Sequence, residues 1–180
     1  MSKIDPVLLF GERVYLREMK KEDAPYIVSW RNDPDIKKWM FNQNDITIEE
    51  HLKWFAEYKK NRKDYIICIR QKNKPIGTVS FTDIVGNSAE VGKMIGDKKY
   101  WGGGYAKEAF LIWLNIGFKI WDFYSITAKT MSNNVKNIEL NKRIGFRNYD
   151  AYMTEIGSGL ICEVTEMIIT RSKFYEKNKE

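Results

Sequence analysis

Lys98-Lys99-Tyr100-Trp101-Gly102-Gly103-Gly104-Tyr105-Ala106 sets three consecutive glycines between a β-rich run and a long apolar helix. Glycine loses more backbone freedom on folding than any other residue, so three together need a reason. Close approach of the backbone to a ligand supplies one. A strand passing through a bare loop into a helix N-terminus is a common phosphate cradle. The N–H groups point outward, and the helix dipole adds about half a positive charge. A flexible linker is the competing explanation, but an amphipathic helix seldom follows a linker at once.

Helical spacing follows the glycines, with Ala106, Ala109, Phe110, Trp113, Leu114, Gly117 and Phe118 on one face. Upstream, alternation predicts a strand over 13–19 and strands over 65–70, 76–83 and 89–95, with turns at Asn73-Lys74-Pro75 and Gly86-Asn87. Between the first two strands, Asp23 starts a helix that ends near Asn32-Asp33-Pro34, and a short helix over 35–40 follows. Thr47 and Glu50 have capping-box spacing, which predicts a helix over 48–60 carrying Leu52, Trp54, Phe55 and Tyr58. Downstream come a strand over 124–131 and a helix over 134–144 closed by Gly145. Strands over 146–154 and 161–170 follow, joined by Gly157-Ser158-Gly159. The coarse order β, α, α, β, β, β, α, β, α, β, β is an α/β (α+β) pattern. It predicts a mixed, mostly antiparallel sheet with helices on both faces, rather than an alternating doubly wound one.

The 180 residues form a single domain, 1–180, without repeats or linkers, and suffice for a full core. A hydrophobic fraction of 43% with 14% aromatics is that of a folded protein, which excludes a disordered chain. Thirty Lys and Arg against 24 Asp and Glu leave a net charge of +6, which suits an anionic ligand without requiring one. The basic tail after Arg171 reads as a solvated end. Cys68 and Cys162 lie in apolar runs, as buried thiols rather than a disulfide, and no metal-ligand spacing is present. No signal segment or membrane-length apolar run occurs, so a soluble, cytoplasmic protein is expected.

Known phosphate-loop grammars narrow the glycines. A P-loop needs a Lys-Ser/Thr pair that is missing here, and a dinucleotide fingerprint starting at Gly102 puts Lys107 where a small residue belongs. The pattern [RQ]-x-x-G-x-[GA] does fit Lys99 to Gly104, with Lys99 replacing Arg or Gln. In this the loop resembles the acetyl-CoA loop of the GNAT superfamily of N-acetyltransferases. Glu90-Val91-Gly92 followed by Gly102-Gly103-Gly104-Tyr105-Ala106-Lys107-Glu108-Ala109 resembles the branch that acetylates ribosomal-protein N-termini. Asn134-Val135-Lys136-Asn137 and Lys142-Arg143-Ile144-Gly145-Phe146 extend the likeness over roughly 75–147. Trp30-Arg31-Asn32-Asp33-Pro34, Trp39-Met40 and Glu49-Glu50-His51 resemble the first segment of bacterial amino-sugar acetyltransferases of the pseudaminic-acid pathway.

The resemblance implies a GNAT fold with splayed fourth and fifth strands, and acetyl-CoA as co-substrate without a metal. It also implies direct attack of a primary amine on the thioester. It puts the pyrophosphate on Gly102, Gly103, Gly104, Tyr105 and Ala106 with Lys99 beside them. The pantetheine arm falls along Met94, Ile95 and Gly96, and Asn134 and Asn137 lie across the cleft. Glu90 is the carboxylate that would act as general base, ahead of Asp83. Arg31, Trp39, Met40 and His51 are the acceptor-side candidates, Arg31 and His51 for a nucleotide diphosphate and Trp39 for a base. The expected acceptor is a nucleotide-linked amino sugar. A ribosomal-protein N-terminus, polyamine or antibiotic amine is the alternative within the same chemistry, and a non-catalytic binding module the alternative outside it. A homodimer is compatible with the chain, and neither nucleic acid nor a membrane is expected as partner. At Asn141 the sequence departs from the family, many of whose members carry there a tyrosine that protonates the leaving thiolate. An ordered water, or no acid at all, is expected in its place.

Overall fold

Two buried clusters, one on each side of a central sheet, account for the arrangement. The computed structural model describes residues 9–57, 61–157 and 159–178. In chain order these form β1 (Val14–Glu18), α1 (Ala24–Asn32), α2 (Pro34–Lys37), α3 (Ile48–Ala56), β2 (Lys63–Ile69), β3 (Lys74–Val85) and β4 (Ser88–Ile95). There follow α4 (Tyr105–Lys119), β5 (Ser125–Met131), α5 (Val135–Ile144), β6 (Arg147–Ile156), β7 (Leu160–Thr170) and α6 (Arg171–Lys177). The sheet order is β1-β2-β3-β4-β5-β7-β6, antiparallel throughout except for the β4–β5 pair.

The larger cluster joins the sheet to α4, α5 and α6. Phe110, Trp113, Leu114 and Phe118 of α4 are fully buried, and Trp113 stacks on Phe81 of β3 with ring centroids 4.8 Å apart. Each such side chain contributes about 1.5–3 kcal/mol by leaving water. The smaller cluster sets Ile27 and Trp30 of α1 and Ile36 of α2 against Ile66 and Cys68 of β2. Trp30 also fixes where α1 crosses the end of β4. A Cβ on Gly96 would lie 2.1 Å from the Trp30 ring, so only glycine lets the two elements meet.

Local chemistry sets the helix ends. Thr47 and Glu50 form the expected reciprocal box at α3, and Asn134 accepts from the Asn137 N–H at the start of α5. Tyr58 and Ser158 lie outside the described residues, so the end predicted for α3 and the middle of the last turn do too. The helix predicted over 35–40 starts one residue earlier, where Asp33 caps it, and ends at Lys37. The tail after Arg171 is not a solvated end. It forms α6, held by Phe174 in the core and by Arg171, which donates to the Phe123 carbonyl and pairs with Asp122. Cys68 is buried as expected, but Cys162 is half-buried because its end of the β6–β7 hairpin extends past the core.

The feature that positions the site is a gap between β4 and β5. Their ladder holds only Ser88–Ser125, Ala89–Ile126 and Glu90–Thr127. From Val91 to Ile95, β4 keeps its pairing with β3 but has no partner on β5. The strands splay toward the glycine loop, as expected.

Candidate active site

The loop carries the geometry its glycines require. Gly102 and Gly104 adopt φ of +75° and +82°, a left-handed backbone that side chains disfavour. Gly104 caps α4 without a side chain, leaving the first-turn N–H groups unclaimed. Among the described residues, no backbone carbonyl or side chain accepts from the N–H groups of Gly102 through Ala106. A Cβ at Gly102 would meet nothing within 4 Å, so this backbone faces open space. Unclaimed donors at the positive end of a 15-residue helix fit a pyrophosphate. The unpaired edge of β4 beside them fits an extended amide-bearing arm. Lys99 is exposed and its ammonium makes no ion pair among the described residues, so it remains available to an anion.

Arg13, from outside the motif, and Glu108, within its helical part, hold the loop in shape. Arg13 donates from Nη1 to the Gly103 carbonyl at 2.8 Å and from Nε to Glu108 Oε2 at 2.8 Å, and its guanidinium lies over the Tyr105 ring. Glu108 Oε1 accepts from the Arg13 and Val14 backbone N–H groups. Burial opposes the charge on Glu108, but these hydrogen bonds outweigh it and hold its carboxyl below the usual range. Glu108→Gln is expected to loosen the loop at about 1–1.5 kcal/mol, weakening CoA affinity roughly tenfold in a calorimetric titration.

The other cofactor-side candidates are partly engaged. Gly96 cannot offer its N–H to a thioester oxygen, because it donates to the Ile76 carbonyl at 2.7 Å. That leaves the β4 edge up to Ile95, whose carbonyl accepts from the Trp101 indole at 2.8 Å. Met94 faces the smaller cluster. Asn134 is the helix cap described above, and Asn137 donates to Thr130 Oγ1 at 3.0 Å.

On the α1–α3 side of the sheet lies a cavity of about 420 Å³, within the usual range for small-molecule sites. Thr78, Ser80, Gly92 and Met94 form its floor, and Arg31, Met40 and His51 reach it from above. Trp39 does not line it. Its ring is exposed and carries the Lys38 ammonium, because α2 ends before it and turns it outward. Arg31 makes no hydrogen bond or ion pair among the described residues. Burial and the neighbouring Arg62 guanidinium both push its pKa down. The other cavity charges are occupied: Asp64 accepts two bonds from Arg62, and Glu50 closes the α3 cap. His51 is buried, and its Nε2 has no partner among the described residues. Burial first, then the Arg31 charge, lower its pKa, which favours the neutral imidazole.

Glu90 is not in this cavity. It lies at the closed end of the splay, with Oε2 2.7 Å from Lys129 Nζ. The Glu90 hydrogen bond raises the Lys129 pKa against the effect of burial. Glu90 Oε2 is thus engaged by an ammonium, away from the acceptor cavity. Asp83 is exposed at an irregularity of β3 with φ of +47°. Among the described residues no group of three His, Cys, Asp or Glu is placed to hold a metal, and no helix is long and apolar enough to cross a membrane.

Lys93 adds a buried cation that no motif contains. Three residues past the last β4–β5 pair, its ammonium sits 4.1 Å from the Phe110 ring centre and donates to Asn141 Oδ1 at 2.6 Å. Asn141 is fully buried, and its amide nitrogen points to Met167 Sδ. The residue as a whole keeps partial access to the cavity, but the ammonium is desolvated, which brings its pKa down to about 7. A free lysine holds its proton to about 10.4, so between those values the unfolded chain binds more protons than the folded one. Stability therefore rises with pH across that window. Urea midpoints at about pH 7 and about pH 9 should show a gain in the wild type that is smaller in Lys93→Met. The signal was present in the sequence: Ala89, Val91, Lys93 and Ile95 share one strand face, which puts a lysine among core residues.

Comparison with known proteins agrees with this geometry. An uncharacterized protein of Methanocaldococcus jannaschii is 30% identical over 142 residues, 75% of this chain, which spans only 28% of that protein's length. The uncharacterized N-acetyltransferase p20 of Bacillus licheniformis is 29% identical over 148 residues, 77% of this chain and 82% of its own length. A crystal structure of spermidine N-acetyltransferase from Vibrio cholerae, in complex with CoA and spermine, superposes with a TM-score of 0.84 at 21% identity. That match covers 91% of this chain and 99% of the other, and it shows the fold. Residues 13–147 match the acetyltransferase (GNAT) domain model. The chain therefore belongs to the GNAT acetyltransferases, the family that moves an acetyl group from acetyl-CoA to an amine.

Proposed function

We propose that this enzyme acetylates the primary amine of a small molecule that also carries an anionic group, with a nucleotide-linked amino sugar as the acceptor. One observation carries this reading: among the described residues Arg31 has no counter-charge and His51 Nε2 no partner, and both face the acceptor cavity. A charged group removed from water without a partner is costly, and a phosphate or carboxylate on the acceptor would relieve that cost. A polyamine would bring further positive charge to the same place. The charge pattern of the cavity thus favours an anionic acceptor over a polyamine. The likeness of the 30–54 segment to amino-sugar acetyltransferases favours a sugar over a ribosomal N-terminus. Trp39 has no part in the reading, since it lies outside the cavity.

The geometry supports the following contributions of the chain to transfer. Gly102 to Ala106 hold the pyrophosphate, and the β4 edge aligns the arm in the splay. The cavity floor at Gly92 and Met94 brings the acceptor to that same strand, so the amine and the thioester meet across β4. Holding both in reach supplies much of the rate by orientation alone. Bound acetyl-CoA supplies the reactive thioester. A mass-spectrometric panel of amines with acetyl-CoA tests the reading. Acetylated products are expected from anionic amines, amino-sugar nucleotides foremost, and exclusive acetylation of spermidine or peptide N-termini would refute it.

A further inference from the structure

We propose that Lys93 is the proton donor to the leaving sulfur, taking the place that a hydroxyl at position 141 would otherwise fill. This rests on the acetyl-transfer reading of the family, and on geometry that the loop and the acceptor cavity leave unexplained. Lys93 projects where β4 has lost β5 as a partner, between α4 and α5, which wall the splay. A buried lysine without a carboxylate partner is a destabilising feature, and an apolar residue of similar length would pack there at lower cost. Asn141 offers its oxygen, orients the ammonium and adds no negative charge that would trap the proton. The other titratable groups that line the same cavity are Arg31, His51, the Arg62–Asp64 pair and Glu50 of the α3 cap, and three residues back on β4 itself Glu90 is taken by Lys129 of β5. Desolvation is the one cause of the Lys93 shift.

The step balances. The acceptor nitrogen's electron pair forms the new C–N bond, the C–S bond breaks with its pair going to sulfur, and Lys93 Nζ gives that sulfur a proton. The proton lost by the acceptor nitrogen leaves to solvent through the cavity, and solvent returns one to Lys93. One amine and one thioester become one amide and one thiol. With Lys93 near 7 and a thiol near 8.5, the transfer runs downhill.

The test uses the full chain, with CoA and desulfo-CoA as probes. In ¹⁵N-lysine NMR, the Lys93 Nζ titration in the CoA complex should differ from that in the desulfo-CoA complex by at least about half a pH unit, since the two ligands differ only at sulfur. Coincident titrations would overturn the proposal while leaving the transfer reading intact, and failure of the wild type to bind CoA would sink both. Lys93→Met should lower kcat about 100-fold, with KM for acetyl-CoA within about threefold, and should abolish the fall of kcat as pH rises above Lys93's own titration. Thermal stability of the variant should equal or exceed the wild type. Retained kcat with an unchanged pH profile would count against the proton-donor role. Lys93→Arg keeps the charge but not a labile proton, and should be as slow as Lys93→Met.

Discussion

Gly103→Trp should reduce CoA affinity at least about 100-fold while the protein remains folded, the loss expected from two charge-assisted hydrogen bonds of about 1.5 kcal/mol each. Gly103 lies between the two left-handed glycines, and its carbonyl is already fixed by Arg13. A Cβ there would come within 2.7 Å of the Tyr105 ring, so an indole must displace the first residue of α4 or swing out over the open donors. Either route removes N–H groups from the pyrophosphate position. The loop lies at the protein surface, so the core on α4 from Ala109 onward should be untouched. Calorimetry with CoA, alongside a thermal melt, checks both halves. Undiminished affinity would show that the loop is not the phosphate cradle.

Arg31→Ala should raise KM for an anionic acceptor by about 10- to 150-fold, the loss of a charged hydrogen bond worth about 1.5–3 kcal/mol. KM for acetyl-CoA should stay within about twofold, because Arg31 lines a cavity to which no residue of the glycine loop contributes. Stability should hold or improve, since the substitution removes a desolvated cation that has no partner among the described residues. Steady-state kinetics with each substrate varied in turn checks the split. A rise in both constants, or in neither, would remove Arg31 from acceptor recognition.

The parts of this molecule written in short-range chemistry were legible in its sequence. The glycine run, the Thr47–Glu50 box, the Asn134 cap and the Gly145 stop each act within a few residues, and the structure shows all of them. What depends on partners far along the chain was harder to see. α6 hides in a basic tail because one buried side chain, Phe174, anchors it among lysines. Glu90 matched a motif, yet its ion pair with Lys129 forms only when β4 and β5 come together. Trp39 and Met40 are neighbours in sequence, but the early end of α2 sends one outward and leaves the other at the cavity. Arg13 carried no motif, and its role appears only when β1 meets the start of α4. Lys93 was visible as a charged residue in an apolar alternation. Its meaning depended on Asn141, 48 residues away.

The proposed reaction is acetyl transfer to an amine that bears negative charge. The rate of thiol release from acetyl-CoA, measured with a nucleotide-linked amino sugar and with spermidine under the same conditions, tests it most directly. An unpaired cavity arginine predicts that kcat/KM for the sugar nucleotide exceeds that for spermidine by at least about 100-fold, and that Arg31→Ala narrows the gap. Equal or faster turnover of spermidine would contradict the account.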